Sequence, residues 1–177
     1  MYLKILSQVI FFSLIALFQI GFVKALPIWF SEINLILLVL VFFLGFNRLK
    51  TVLFWGAGMG IIYDLYTFVP FGAYTMSLLI TIFLAYFLMV NFLTNRSLYS
   101  FLVLTSFTIF CFEFFSFIII NISSLIFNRE FLFIFNKMFF LYKLYGLFLN
   151  LFLMSIFLYL FNFFSPKFKP VFLFKRK

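Results

Sequence analysis

Charged side chains in this chain are kept apart by long stretches that contain none. Residues 5–23, 65–95 and 144–166 hold no Asp, Glu, Lys or Arg. An apolar stretch of about 20 residues can cross a bilayer only as a helix whose backbone hydrogen bonds close on themselves. That requirement fixes the architecture as helical spans, with polar residues at their ends. The composition agrees: 67% of residues are hydrophobic, 10% are charged and mean hydropathy is +1.28, well outside the range of a soluble domain. The fold class is therefore an all-α integral membrane protein. At roughly 25–30 residues per span and connection, 177 residues accommodate six transmembrane helices in one domain.

Read in order, the runs predict helix 1 over Ile5–Val23, after Lys4. Its core is longer than the roughly 7–15 residues of a signal peptide, and Lys24 spoils the small-residue cleavage site, so helix 1 is expected to stay uncleaved. Helix 2 covers Ile33–Phe46, or begins near Ile28 with Glu32 snorkelling to the surface. The basic turn Asn47-Arg48-Leu49-Lys50 leads to helix 3, Thr51–Val69. Pro70 and Gly72 make a turn before helix 4, Ala73–Phe92, because proline lacks the N–H a helix needs and glycine frees the backbone. Helix 5 runs Leu98–Phe127. Residues Asn128–Tyr145 mix Arg129, Glu130, Lys137 and Lys143 with aromatics and read as a helix lying in the interface. Helix 6, Gly146–Phe164, completes a transmembrane domain of residues 1–164, and residues 165–177 form a basic tail. With six spans, nine of the 13 basic residues fall on one side, which predicts cytoplasmic N- and C-termini. The tail then lies against anionic lipids of the inner leaflet.

Within helix 3, Gly56, Gly60 and Asp64 recur at four-residue spacing and share a face. Small residues at that spacing admit a neighbouring helix closely, and a carboxyl group in such a seam must face protein, water or a partner. Asp64 is the only aspartate in the chain. With Pro70 and Gly72 it marks a fold-defining or partner-binding element. Gly58 lies off the stripe. A second intramembrane acid, Glu113 in helix 5, is expected to be satisfied inside the bundle by hydrogen bonds from Tyr, Asn, Ser or Thr.

The chemistry argues for a non-enzyme. There is no histidine, which removes the usual base of hydrolytic triads, and Cys111 is alone in an apolar run, so neither a disulfide nor a Cys/His metal set is expected. One aspartate does not make an aspartyl dyad, and no Gly-rich phosphate loop is present. No catalytic residue, metal or cofactor is expected. The net charge of +9 is spread over loop ends and one tail, so it forms no nucleic-acid groove.

The pattern Gly56-x-Gly58-x-Gly60-x-x-x-Asp64, followed by Pro70-x-Gly72, resembles the rod shape-determining MreD family. Chain length, six hydrophobic runs and the Glu32-Ile33-Asn34 opening of helix 2 accompany it. The resemblance implies a fold similar to the substrate-binding subunits of energy-coupling-factor transporters. It also implies an inner-membrane scaffold of the bacterial cell-elongation complex, the elongasome. Such a scaffold binds MreC and links MreB filaments to RodA and an elongation transpeptidase for lateral peptidoglycan synthesis and cell shape. Gly56, Gly60, Asp64, Pro70 and Gly72 are the matching positions, with a structural or partner-binding role. Two other readings stay open: a substrate-binding subunit that captures a vitamin or metal beside Asp64, and a membrane protein with no dedicated partner.

Overall fold

The computed structural model describes residues 2–67, 69–93, 97–126 and 137–164, and all the secondary structure in them is helical. Seven α-helices follow in order: α1 (Tyr2–Gly21), α2 (Ile28–Ser31), α3 (Leu35–Phe46), α4 (Leu49–Tyr66), α5 (Ala73–Asn91), α6 (Leu98–Ile126) and α7 (Lys137–Phe164). A 3-10 turn at Val23–Ala25 links α1 to α2. Four helical stretches are long and apolar enough to cross a membrane: Ser7–Ala25, Ala73–Asn91, Leu98–Ile126 and Phe140–Phe161. The apolar α3 has only 12 residues, about 18 Å of helix.

Three expectations change. The second predicted helix, Ile33–Phe46, is α3, starting two residues later, and the alternative start near Ile28 is excluded: α2 ends at Ser31 and α3 begins at Leu35, with Glu32 in the gap. The gap is stable because Asn34 caps α3, its side chain accepting the Leu37 N–H at 3.2 Å. The predicted third helix starts two residues earlier and stops at Tyr66, three short of Val69. Thr67 then adopts an extended backbone on the approach to Pro70. Residues 137–145 do not form a separate interfacial helix. They are the first turns of α7, which passes through Gly146 without a break, while 127–136 and the tail 165–177 lie outside the described residues.

The core runs along the bundle. Phe12 of α1 stacks on Trp55 of α4 at 4.5 Å and meets Phe43 of α3 edge-on. Leu37, Leu40, Val52, Met59, Leu78 and Leu104 are fully enclosed. At the end of the bundle where α3 finishes and α6 begins, aromatic rings take over: Phe42 contacts Phe157 and Phe161 at 4.7 and 4.8 Å, and Phe46 stacks with Phe101 at 6.2 Å.

The glycines separate into packing contacts and open positions. A Cβ on Gly60 would sit 2.8 Å from the Thr75 Cα of α5, a backbone atom that cannot yield without moving the helix. On Gly56 it would meet the Cδ1 end of Ile82, which has rotamers to spare, and on Gly58 it would meet nothing within 4 Å. Gly60→Ala is therefore expected to cost about 2 kcal/mol, Gly56→Ala less than half of that and Gly58→Ala nothing. Thermal unfolding of the three purified variants in one detergent would rank them, and equal melting temperatures would contradict this packing.

Candidate functional site

Two polar joints fasten the helices together. The first is built on Asp64. Its carboxyl oxygens accept the backbone N–H of Tyr74 at 2.9 Å and of Thr75 at 3.1 Å, and the Thr75 hydroxyl as well. Those are the second and third residues of α5, whose first-turn N–H groups have no partner within their own helix. Asp64 thus caps the next helix from the end of α4, in place of a capping residue at Gly72, which has no side chain to do so. The Gly56/Gly60 face makes this possible by bringing α5 close enough for a short aspartate to reach. Pro70 offers its carbonyl to the Ala73 N–H at 3.1 Å, and Gly72 turns the chain with φ of +91°, a left-handed conformation that glycine adopts at little cost. Gly56, Gly60, Asp64, Pro70 and Gly72 therefore belong to one joint, with Asp64 3% exposed.

The second joint fills the α2–α3 gap. Gln19 of α1 spans it, donating to the Ile33 carbonyl at 2.7 Å and accepting the Leu35 N–H at 2.8 Å. From the other side Asn150 of α7 accepts the Asn34 N–H at 2.8 Å and donates to the Glu32 carbonyl at 3.1 Å. Gly146, one turn earlier, lets α7 approach, since a Cβ there would lie 2.7 Å from the Glu32 Cβ. The Lys143 ammonium then bridges Glu32 at 2.7 Å and Glu113 of α6 at 3.0 Å. Lys24, exposed, donates to the Ser31 carbonyl at 2.9 Å.

This corrects two expectations about acids. Glu32 does not snorkel at the surface, and Glu113 is held by a lysine and not by neutral hydrogen-bonding side chains. Neither pairing had a local signal, because Lys143 reads as an interfacial charge until its helix is known to continue through it. Gln19 and Asn150 were missed for the same reason: a lone amide in an apolar run is notable only once the partner loop is located. Cys111 is a buried free thiol, as its apolar run predicts.

The two joints lie at one end of the bundle and at one level. Tyr74 packs edge-on against Tyr63 at 4.7 Å and stacks with Phe112, the neighbour of Glu113, at 6.2 Å. At this level α1 and α4 end and α3 and α5 begin, whereas α6 continues 13 residues past Glu113, about 20 Å. From this level α5 spans 19 residues, about 28 Å, close to the thickness of a hydrocarbon core. The polar joints thus share one level, at which four helices end or begin.

The charge triad predicts an asymmetric response. Lys143→Met would leave two carboxyl groups facing each other without a cation, at a cost on the order of 2 kcal/mol given partial exposure of all three groups. Glu113→Gln leaves Lys143 paired with Glu32 and should cost well under 1 kcal/mol. Adding Glu32→Gln and Glu113→Gln to Lys143→Met should recover most of the loss. Melting temperatures of the series test this, and an additive outcome would contradict the triad.

Helices of this length and apolarity define a multi-pass helical membrane protein. Compared with protein-family models, curated proteins and solved structures, the chain matches none. Among the described residues no group of three His, Cys, Asp or Glu side chains is placed to hold a metal ion.

Proposed function

We propose that the chain is an inner-membrane scaffold subunit of the bacterial cell-elongation complex. It binds an MreC-like membrane protein and through it links MreB filaments to RodA and an elongation transpeptidase, which carry out lateral peptidoglycan synthesis. In this reading α3 makes one crossing and α4 another, giving six spans with both termini in the cytoplasm. It keeps the expected likeness to the substrate-binding subunits of energy-coupling-factor transporters as a likeness of fold.

The observation that carries the reading is the use made of the polar groups. Asp64, Gln19, Glu32 and Asn150 are committed to joining helices, so they do not converge on a space for a small polar ligand. Pockets that bind such ligands need several polar groups directed into them. What the bundle leaves open is apolar: a lateral groove of about 710 Å³ between α1, α3 and α7, lined by Phe11, Phe18, Leu38 and Phe157 among others. Faces of this kind suit contacts with other membrane helices. The residues behind the family resemblance take part as the α4–α5 joint, a structural role consistent with a scaffold.

The test is co-purification. Tagged chain extracted in mild detergent is expected to bring down a bitopic MreC-like protein at near-equal stoichiometry. Recovery of the chain without such a protein, together with saturable binding of a soluble vitamin, would replace this reading with transport.

A further inference from the structure

Glu113 is the only charged residue of α6, 15 residues after Leu98 and 13 before Ile126, so apolar helix continues on both sides of it. Its Oε2 pairs with Lys143, while Oε1 accepts no hydrogen bond from the described residues and the side chain is 34% exposed. Glu113 stands in the wall of a cleft of about 310 Å³ between α6 and α7, which Phe110, Phe114, Phe117, Ile118 and Phe140 line with apolar surface. Phe110 and Phe114, one turn apart with ring planes 9° from parallel, form a flat ridge beside the acid. Both rings and that of Phe140 are more than half exposed.

A carboxylate acceptor left open on an apolar face calls for a donor from outside the chain. The surrounding charge decides the kind of donor: Lys24 acts on both Glu32 and Glu113 beside Lys143, so two cations already balance two carboxylates. The complement is therefore a neutral hydroxyl or amide. The place of Glu113 along α6 decides what carries it. Acyl chains have no donor and headgroups meet a spanning helix near its ends, whereas a second helix brings a hydroxyl or amide to any depth and is held by it.

We infer that this face of α6, with Phe140 of α7, docks a transmembrane helix of a partner protein. That helix places a Ser, Thr, Asn or Gln side chain on Glu113 Oε1 and lays apolar side chains in the cleft beside Phe114 and Phe140. The inference rests on the scaffold reading for its partner, the bitopic protein, and adds where that protein docks and by which chemistry.

Photocrosslinking in native membranes, followed by co-purification, tests it. A photoreactive phenylalanine analogue replaces Phe114, and the same probe at Phe83, on the α4–α5 side, is the control. Adducts from position 114 are expected in the single transmembrane helix of the MreC-like protein, within one turn of a Ser, Thr, Asn or Gln, at least tenfold above those from position 83. Glu113→Leu, which removes the acceptor, should lower recovery of that protein about tenfold. Glu113→Gln, which keeps a neutral acceptor and the Lys143–Glu32 pair, should lower it about threefold. Adducts with lipid alone, adducts with a helix that lacks such a side chain, or unchanged recovery in either variant would overturn the docking site and leave the scaffold reading standing. A wild-type chain that recovers no bitopic protein would overturn the scaffold reading, and the docking site with it.

Discussion

Asp64→Ala should lower the stability of the detergent-solubilised protein by on the order of 3 kcal/mol, the largest loss expected from any single change. The substitution removes both acceptors that cap α5 and strands the Tyr74 and Thr75 N–H groups where water has little access. Losing a helix cap costs about 1 kcal/mol, and each buried donor left unsatisfied adds 1–3 kcal/mol. Asp64→Asn keeps one acceptor oxygen but turns an amide toward donors, so it should fall between alanine and wild type. The measurement is the unfolding midpoint of both variants beside the amount of protein recovered from membranes. An alanine variant as stable as wild type would mean that α5 is capped in some other way and that the α4–α5 joint is not a source of stability.

Asn150→Leu should be nearly as damaging, also on the order of 3 kcal/mol, although leucine suits a membrane helix better by hydropathy. Asn150 is 1% exposed and satisfies the Asn34 N–H and the Glu32 carbonyl, two backbone groups that the α2–α3 gap takes out of helical bonding. Leucine leaves both unpaired and adds branched bulk next to Gly146. Because Gln19 holds the other side of the gap, Gln19→Leu should be harmful in the same way. The double variant should cost less than the sum, since once one side has failed the gap can reorganise as a unit. Strict additivity of the two melting shifts would show that the amides act separately.

How far the sequence reveals this arrangement depends on how local each signal is. The α4–α5 joint was legible because its parts lie within 20 residues of each other. Four-residue spacing sets Gly56, Gly60 and Asp64 on one face, and Pro70 with Gly72 fixes where the next helix starts. What the spacing could not reveal is the target of Asp64, because a carboxyl group facing a neighbouring helix can meet a side chain, a ligand or bare backbone N–H groups. The α2–α3 gap was legible only as a choice between a helix start at Ile33 and one near Ile28. Apolar residues continue on both sides of Glu32, and the groups that make a break affordable, Gln19 and Asn150, stand 14 and 116 residues from their partners. Gly146 misled for a related reason: glycine marks helix ends and close helix contacts alike, and here it serves the contact.

The two ends of the bundle are fastened by different forces. At one, hydrogen bonds and ion pairs fix angles and distances. At the other, the rings of Phe42, Phe46, Phe157 and Phe161 make contacts that tolerate sliding. A long helix held this way is expected to act as a lever, α7 swinging about Asn150 with its far end moving most. Such a swing widens or narrows the groove shared with α1 and α3, so the width of that groove becomes an adjustable quantity. Distances between spin labels at Val39 and Leu160 should accordingly spread more broadly than distances between labels at Ile33 and Leu147.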